Sequence, residues 1–347
     1  MSNDQPNTTP DLNNLVSRLQ RSGYKFSSFE LSCEDPCDPI DVEWNYKDMV
    51  HVSFVHSHMS REFTFIGENS YTTLDLQRVL GLDIPQSTSF YTTEDNALIA
   101  HTSLFLFIVI VEVRFESVGE LLTRTTTRYS LGSKTPLIRL LSPILRFALK
   151  RNWRRFTADD RPLRQRRGLL RSKGFQFDET RPVNIRETLN ISKNHVIAPK
   201  SEQQEISNHF KISEFAGKTV HIGDSDHFGL QVCFKDNQIL IFPRLCPHMG
   251  SSLDQDSCDG HAIPCPWHGR KFKALCSIKA DGQSKTFIGP LHICVYDGAA
   301  IHITTLSDPA PISDSAANSG YWTEPWRPAA QNDTDADELT GIAQQID

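Results

Sequence analysis

The chain runs to 347 residues with a net charge of −6, which leaves room for two domains. Its charge is segregated: residues 139–173 hold twelve basic side chains against Asp159 and Asp160, while residues 308–347 hold eight acidic side chains and one arginine. The basic stretch lacks aromatic interleaving, which argues against a nucleic-acid surface and for a solvated helix face, and the most apolar run, residues 104–113, is too short to cross a bilayer.

Residues 1–20 are polar and read as a disordered arm. No secretory signal is legible there, so a cytoplasmic protein with reduced thiols is expected. A strand signal covers residues 25–33, followed by a helical stretch near residues 48–59. Strand-like runs continue over 61–66, 89–92, 97–115 and 121–131, with 104–113 reading as a buried strand. A helical block spans residue 136 to about 155, carrying Leu137, Ile138, Leu140, Leu141, Ile144, Leu145 and Phe147 at mostly helical spacing. Pro136 suits a first turn there, and Pro143 predicts a kink. Polar, aperiodic residues mark a linker over 186–207. Short alternating strands are expected over 219–222, 229–234, 238–242 and 291–296. From residue 307 an acidic, largely disordered tail follows, interrupted by Tyr321, Trp322 and Trp326, which would dock on a domain surface. The division is thus an arm (1–20), a first domain (21–185), a linker (186–207), a second domain (208–306) and a tail (307–347).

The second domain carries the sharpest motif. Cys246-Pro247-His248-Met249-Gly250 and Cys265-Pro266-Trp267-His268-Gly269 supply two thiolates and two imidazoles, with sixteen residues between His248 and Cys265. Gly250 and Gly269 stand where the backbone must turn close to a bound group. A Cys₂His₂ zinc site is the plain alternative, but zinc spacing groups Cys with Cys and His with His, whereas each pair here is mixed. The set suits a [2Fe–2S] cluster with Cys246 and Cys265 on one iron and His248 and His268 on the other. The stretch 211–305 resembles a Rieske domain. Ser251 and Trp267 stand where respiratory members carry an extra cysteine pair, so the loops resemble Rieske ferredoxins and oxygenases. Cys33, Cys37, Cys233, Cys258, Cys276 and Cys294 are left over and read as free thiols.

In the first domain, strands wrapped around a long closing helix resemble the α+β START-like helix-grip architecture, followed here by the all-β Rieske domain. Within it, Glu43, Asp48, His51 and His56 form a Glu-x₄-Asp-x₂-His-x₄-His pattern. Rieske non-heme iron oxygenases carry this arrangement in a catalytic domain that is itself START-like. The resemblance implies that His51 and His56 bind a mononuclear Fe(II), with Asp160 as third ligand, Asp159 as its alternative, and His58 as the alternative to His56. Two imidazoles and a carboxylate would leave positions open for O₂. It further implies that Asp48 bridges a cluster histidine and an iron histidine, and that Glu43 assists proton balance. A reductase or ferredoxin would donate electrons, and O₂ and a small apolar substrate would enter the pocket, whose floor residues 104–113 would line. An acidic electron carrier could dock on the basic stretch. The domain order is reversed relative to typical oxygenases and the first domain is short, so a neighbouring subunit in a homo-oligomer is expected to complete the electron path. Two rivals remain: a Rieske electron-transfer module fused to a START-like ligand-binding domain without a second metal, and a metal-free START-like cyclase with a redox-sensing Rieske domain. Metal at His51 and His56 separates them from the oxygenase.

Overall fold

The computed structural model describes residues 12–56, 59–66, 70–79, 82–92, 98–104, 107–179, 183–188, 196–197, 207–215, 218–226, 229–254, 262–288 and 292–305. Helix α1 (Leu12–Arg21) occupies the later part of the expected arm and leads into strand β1 (Lys25–Asp35). Helices α2 (Pro39–Lys47) and α3 (Val52–Val55) follow. Then come β2 (Met59–Ile66), β3 (Ser70–Val79), β4 (Leu82–Thr92), β5 (Leu98–Leu104), β6 (Phe107–Gly119) and β7 (Leu122–Ser133), ahead of α4 (Pro136–Arg139) and α5 (Ser142–Ser172). The seven strands form one antiparallel sheet in the order β1-β7-β6-β5-β4-β3-β2. It is a meander whose last strand is closed by the first, and it grips the long α5 as expected of the helix-grip class.

The local reasons are plain. Strand β7 alternates buried and less buried positions, and its inward Tyr129 and Leu131 pack with Val109 of β6 against Leu145, Leu149 and Trp153 of α5. Helix α2 starts earlier than the helix expected near residues 48–59. Asp38 caps it by accepting from Ile40 N at 2.9 Å, with Pro39 in the first turn and Asp41 completing a capping box. The expected single strand over 97–115 is two strands, β5 and β6, paired to each other. Strand β3 was not anticipated, because its side chains, such as Thr72, Thr73 and Asp75, are mostly polar. Pro143 opens α5 instead of kinking it.

Helix α5 runs on to Ser172, well past the point where apolar periodicity stops. The basic residues there correct the expectation of a solvated face: Arg164 and Arg167 are buried. Arg164 donates to Asn45 Oδ1 (2.8 Å) and Asp35 Oδ2 (3.1 Å). Arg167 donates to Asp41 Oδ1 (2.9 Å) and to Glu179, and stacks on Trp44 and Phe177 with its guanidinium carbon 4.1 and 3.8 Å from the ring centres. A buried charge is tolerable only with such partners, so the helix exchanges apolar packing for a paired network. At Gly168 the helix crosses the chain so closely that a Cβ would lie 1.8 Å from the Pro36 carbonyl oxygen.

Past α5 come β8 (Gln176–Phe177), α6 (Ile185–Thr188) and β9 (Val196–Ile197). The described parts of the expected linker are tied down: Thr188 donates to the Lys47 carbonyl (3.0 Å) and Val196 N to the Pro247 carbonyl (3.1 Å). The C-terminal domain holds β10 (Ser207–Lys211), α7 (Ile212–Phe215), β11 (Thr219–Ile222), β12 (Leu230–Lys235) and β13 (Gln238–Pro243). It continues with β14 (Ala262–Pro264), β15 (Lys271–Lys273), β16 (Cys276–Lys279), β17 (Lys285–Ile288), β18 (His292–Tyr296) and β19 (Ala300–Thr305). Two four-stranded sheets, β10-β19-β18-β17 and β11-β12-β13-β16, enclose a core that includes Val232, Ile239, Ile241, Ile278, Ile301 and Ile303. Cys233 is disulfide-bonded, which corrects its reading as a free thiol; Cys33, Cys37, Cys276 and Cys294 are free. The tail with Tyr321, Trp322 and Trp326 lies outside the described residues. No described helix is long and apolar enough to cross a membrane.

A second core decides the relation between the domains. Ile40, Trp44 and Leu163 of the first domain pack in one cluster with Phe242, Cys246, Met249, Cys265 and Trp267 of the second. Arg166 adds polar ties across this seam, to the Gly250 carbonyl (3.1 Å) and the Ser225 carbonyl (2.6 Å).

Candidate metal centres

The first centre sits on two loops of the C-terminal domain, one following β13 and one joining β14 to β15. Each loop closes the same way: Gly250 N donates to the Cys246 carbonyl (2.9 Å) and Gly269 N to the Cys265 carbonyl (2.8 Å). Both glycines have positive φ, +83° and +63°. Both are also pressed by the first domain, since an added Cβ would lie 2.6 Å from Leu170 Cδ1 at Gly250 and 2.2 Å from the Phe54 ring at Gly269. The turns bring Cys246, His248, Cys265 and His268 together, all buried. The imidazole rings are 4.9 Å apart, and His268 Nδ1 is 3.8 Å from Cys265 Sγ. Burial opposes ionisation of both thiols. Their contact then splits them, leaving Cys246 below its ordinary value and Cys265 well above. Two thiols close enough to share a proton, converging with two imidazoles, have the donor chemistry of a [2Fe–2S] site.

The second centre forms where α2 ends. Asp48 caps α2 by donating its N–H to the Trp44 carbonyl (2.7 Å), and the one-turn α3 then places His51 and His56 at its two ends, ring centres 5.5 Å apart. Helix α5 brings Asp160 between them: its Oδ1 lies 3.3 Å from His51 Nε2 and 3.1 Å from His56 Nε2. The other ring nitrogens face carboxylates, His51 Nδ1 at 3.6 Å from Asp48 and His56 Nδ1 at 3.2 Å from Asp159. Burial alone would lower the His51 pKa, but Asp160 and Asp48 raise it to about 9. The same contacts, with Arg164, hold Asp160 well below the usual carboxylate range despite its burial. Asp160 Oδ1 is buried without a hydrogen-bond partner. An orphaned carboxylate oxygen converging with two Nε2 atoms, each imidazole backed by a carboxylate, fits a divalent cation.

Asp48 joins the two centres. Its Oδ2 accepts from His268 Nε2 at 2.7 Å and lies 3.6 Å from His51 Nδ1, while its Oδ1 accepts from Val50 N at 3.1 Å. Burial would raise its pKa, but His268 and then His51 hold it well below the usual carboxylate range. The junction forms within a single chain.

The description Rieske [2Fe-2S] domain matches the chain over residues 201–298. Residues 201–298 are a Rieske domain. No curated protein matches. Among solved structures, a START superfamily protein from Mycobacterium smegmatis is 8% identical with a TM-score of 0.33, covering 40% of this chain and 97% of its own. The Zhui aromatase/cyclase from Streptomyces sp. R1128 is 9% identical with a TM-score of 0.30, covering 32% of this chain and 70% of its own. The NdmA QL mutant of Pseudomonas putida CBB5, solved with caffeine, is 12% identical with a TM-score of 0.30, and the match covers 42% of each chain.

His51, His56 and Asp160 open onto a cavity of about 230 Å³ inside the helix-grip domain. Much of its lining is apolar, with Val109, Val111, Val113, Trp153 and Phe156, so the run 104–113 does contribute to it. Polar Asp75, Gln86, Thr88 and Thr102 also line it, a feature the sequence reading did not anticipate. Glu43 does not line this cavity: it accepts from Lys47 Nζ (2.7 Å) and Val183 N (3.2 Å). His58 lies outside the described residues. Two arginines were missed. Arg164, four residues after Asp160 on α5, donates to Asp160 Oδ2 (3.3 Å). Arg270, one residue past the second Rieske loop, is buried beside both cluster thiols; burial lowers its pKa to about 9, opposed by those cysteines.

Proposed function

We propose that this chain is a Rieske-type non-heme iron oxygenase component that oxidises a small, largely apolar substrate. The observation that carries the reading is the continuous His268–Asp48–His51 contact, which starts at a Rieske ligand and ends at a His–His–Asp trio facing a cavity. The [2Fe–2S] cluster would supply single electrons, and Fe(II) held by His51, His56 and Asp160 would activate O₂ beside the substrate. The residues do the rest. Asp48 stays ionised between the two imidazoles, accepting a hydrogen bond from His268 Nε2 and placing its charge 3.6 Å from His51 Nδ1. Asp159 fixes the ring of His56, and Arg164 orients Asp160. Val109, Trp153 and Phe156 exclude water from the cavity, while Asp75 and Gln86 select a substrate with a polar group. His248 and His268 are wholly buried, so a reductase or ferredoxin must reach the loops from another side.

The test is iron content per chain in anaerobically purified protein, alongside the cluster absorption spectrum. About three irons are expected, falling to about two in His51→Ala and in Asp160→Ala with the spectrum intact. About two in the native protein, unchanged by either substitution, would favour a ligand-binding domain fused to a Rieske electron carrier.

A further inference from the structure

The N-terminal part of α5 has two faces. Leu149, Trp153 and Phe156 point into the cavity. The opposite face, with the turn before it, exposes Leu140 (72%), Leu141 (48%), Ile144 (68%) and Phe147 (67%). Arg151, Arg154 and Arg155 continue it at helical spacing, also exposed. Large apolar side chains at this exposure, adjoining a row of guanidinium groups, are the composition of a helix that lies in a membrane interface. We propose that this face docks on an anionic lipid surface, with Leu140, Leu141, Ile144 and Phe147 entering the acyl boundary and Arg151, Arg154 and Arg155 meeting phosphate headgroups.

Two other occupants fit less well. An electron-donating protein must approach the Rieske loops, and α5 touches those loops at Leu170, against Gly250. Leu170 is twenty-three residues beyond Phe147, about 35 Å along a helix. A second copy of this chain in a two-fold contact on the same patch would offer the arginine row no anion, since residues 134–158 hold no acidic side chain. Lipid phosphate complements that row, and the docked helix would hold the cavity wall within about one helix diameter, 10 Å, of the bilayer. The inference is independent of the second metal, because it concerns only the outer face.

The experiment is co-sedimentation of the full-length holoprotein with vesicles of phosphatidylcholine alone or with about one third phosphatidylglycerol. Binding is expected to the mixed vesicles, weakening as salt rises. Ile144→Glu with Phe147→Glu should reduce it by at least about tenfold, and Arg151→Gln with Arg154→Gln and Arg155→Gln should remove the preference for phosphatidylglycerol. All these positions are exposed, and an unchanged cluster spectrum serves as the folding control. No binding to either vesicle, or equal binding by native and variant proteins, would overturn the proposal. So would a lipid-free native dimer that the Ile144→Glu, Phe147→Glu variant converts to monomer, since the face would then belong to a second copy.

Discussion

Asp48→Asn is the substitution that tests the junction most directly. Asparagine keeps the shape and one acceptor oxygen, which serves His268 Nε2 at the expense of Val50 N, and the buried negative charge at 2.7 Å from His268 is lost. A hydrogen bond to a charged group contributes about 1.5–3 kcal/mol. An anion beside the cluster opposes the addition of an electron, so its removal favours the reduced state. If half or more of that contribution differs between the two redox states, the potential rises by about 30–130 mV for one electron. The assay is an anaerobic redox titration of the cluster followed by electron paramagnetic resonance, native against variant. Iron counting on the same samples reports whether His51, which loses its carboxylate neighbour, still holds its metal. A potential unchanged to within about 20 mV would refute the reasoning, because it would mean that Asp48 does not touch His268 in solution.

Other perturbations probe the seam. Asp41 is buried; burial would raise its pKa, but Arg167 and Arg171 hold it below the ordinary value. Its contribution is therefore complete above the ordinary carboxylate pKa of about 4 and is lost as pH falls through the lowered one. Asp41→Asn should cost about 3 kcal/mol at pH 7 and flatten the acid side of a plot of melting temperature against pH. Gly269→Ala meets both a positive φ and the Phe54 ring, and should cost about 1–3 kcal/mol. Adding Phe54→Ala should recover the steric part only, which a double-mutant cycle of denaturation midpoints would measure.

The convergence of Cys246, His248, Cys265 and His268 was legible because each Cys–His pair is local: two or three residues and a glycine turn suffice to aim both side chains at one point. His51 and His56 were legible for the same reason, being the two ends of one short turn. The helix-grip class followed from strand runs before a long helix. What the pattern misjudged was the basic half of α5, since a guanidinium on a buried face looks in sequence like one on a solvated face. Only the positions of Asp35, Asp41 and Glu179 show where its charges go. Glu43, which the pattern grouped with the histidines, pairs with Lys47 one helical turn along, a contact that the sequence reading did not weigh.

The sequence by itself therefore determined which donor side chains come together, because donor chemistry is written in residue type and short spacing. It left Asp159 and Asp160 as alternatives, since adjacent residues on a helix point about 100° apart and only the helix rotation selects one. Tertiary structure turned Asp160 inward between the two imidazoles and left Asp159 against the outer nitrogen of His56. It also decided that Asp48 and His268, 220 residues apart, meet within one chain. That contact depends on how the shared apolar core and the buried arginines dock two domains, a property of packed surfaces that no local spacing encodes.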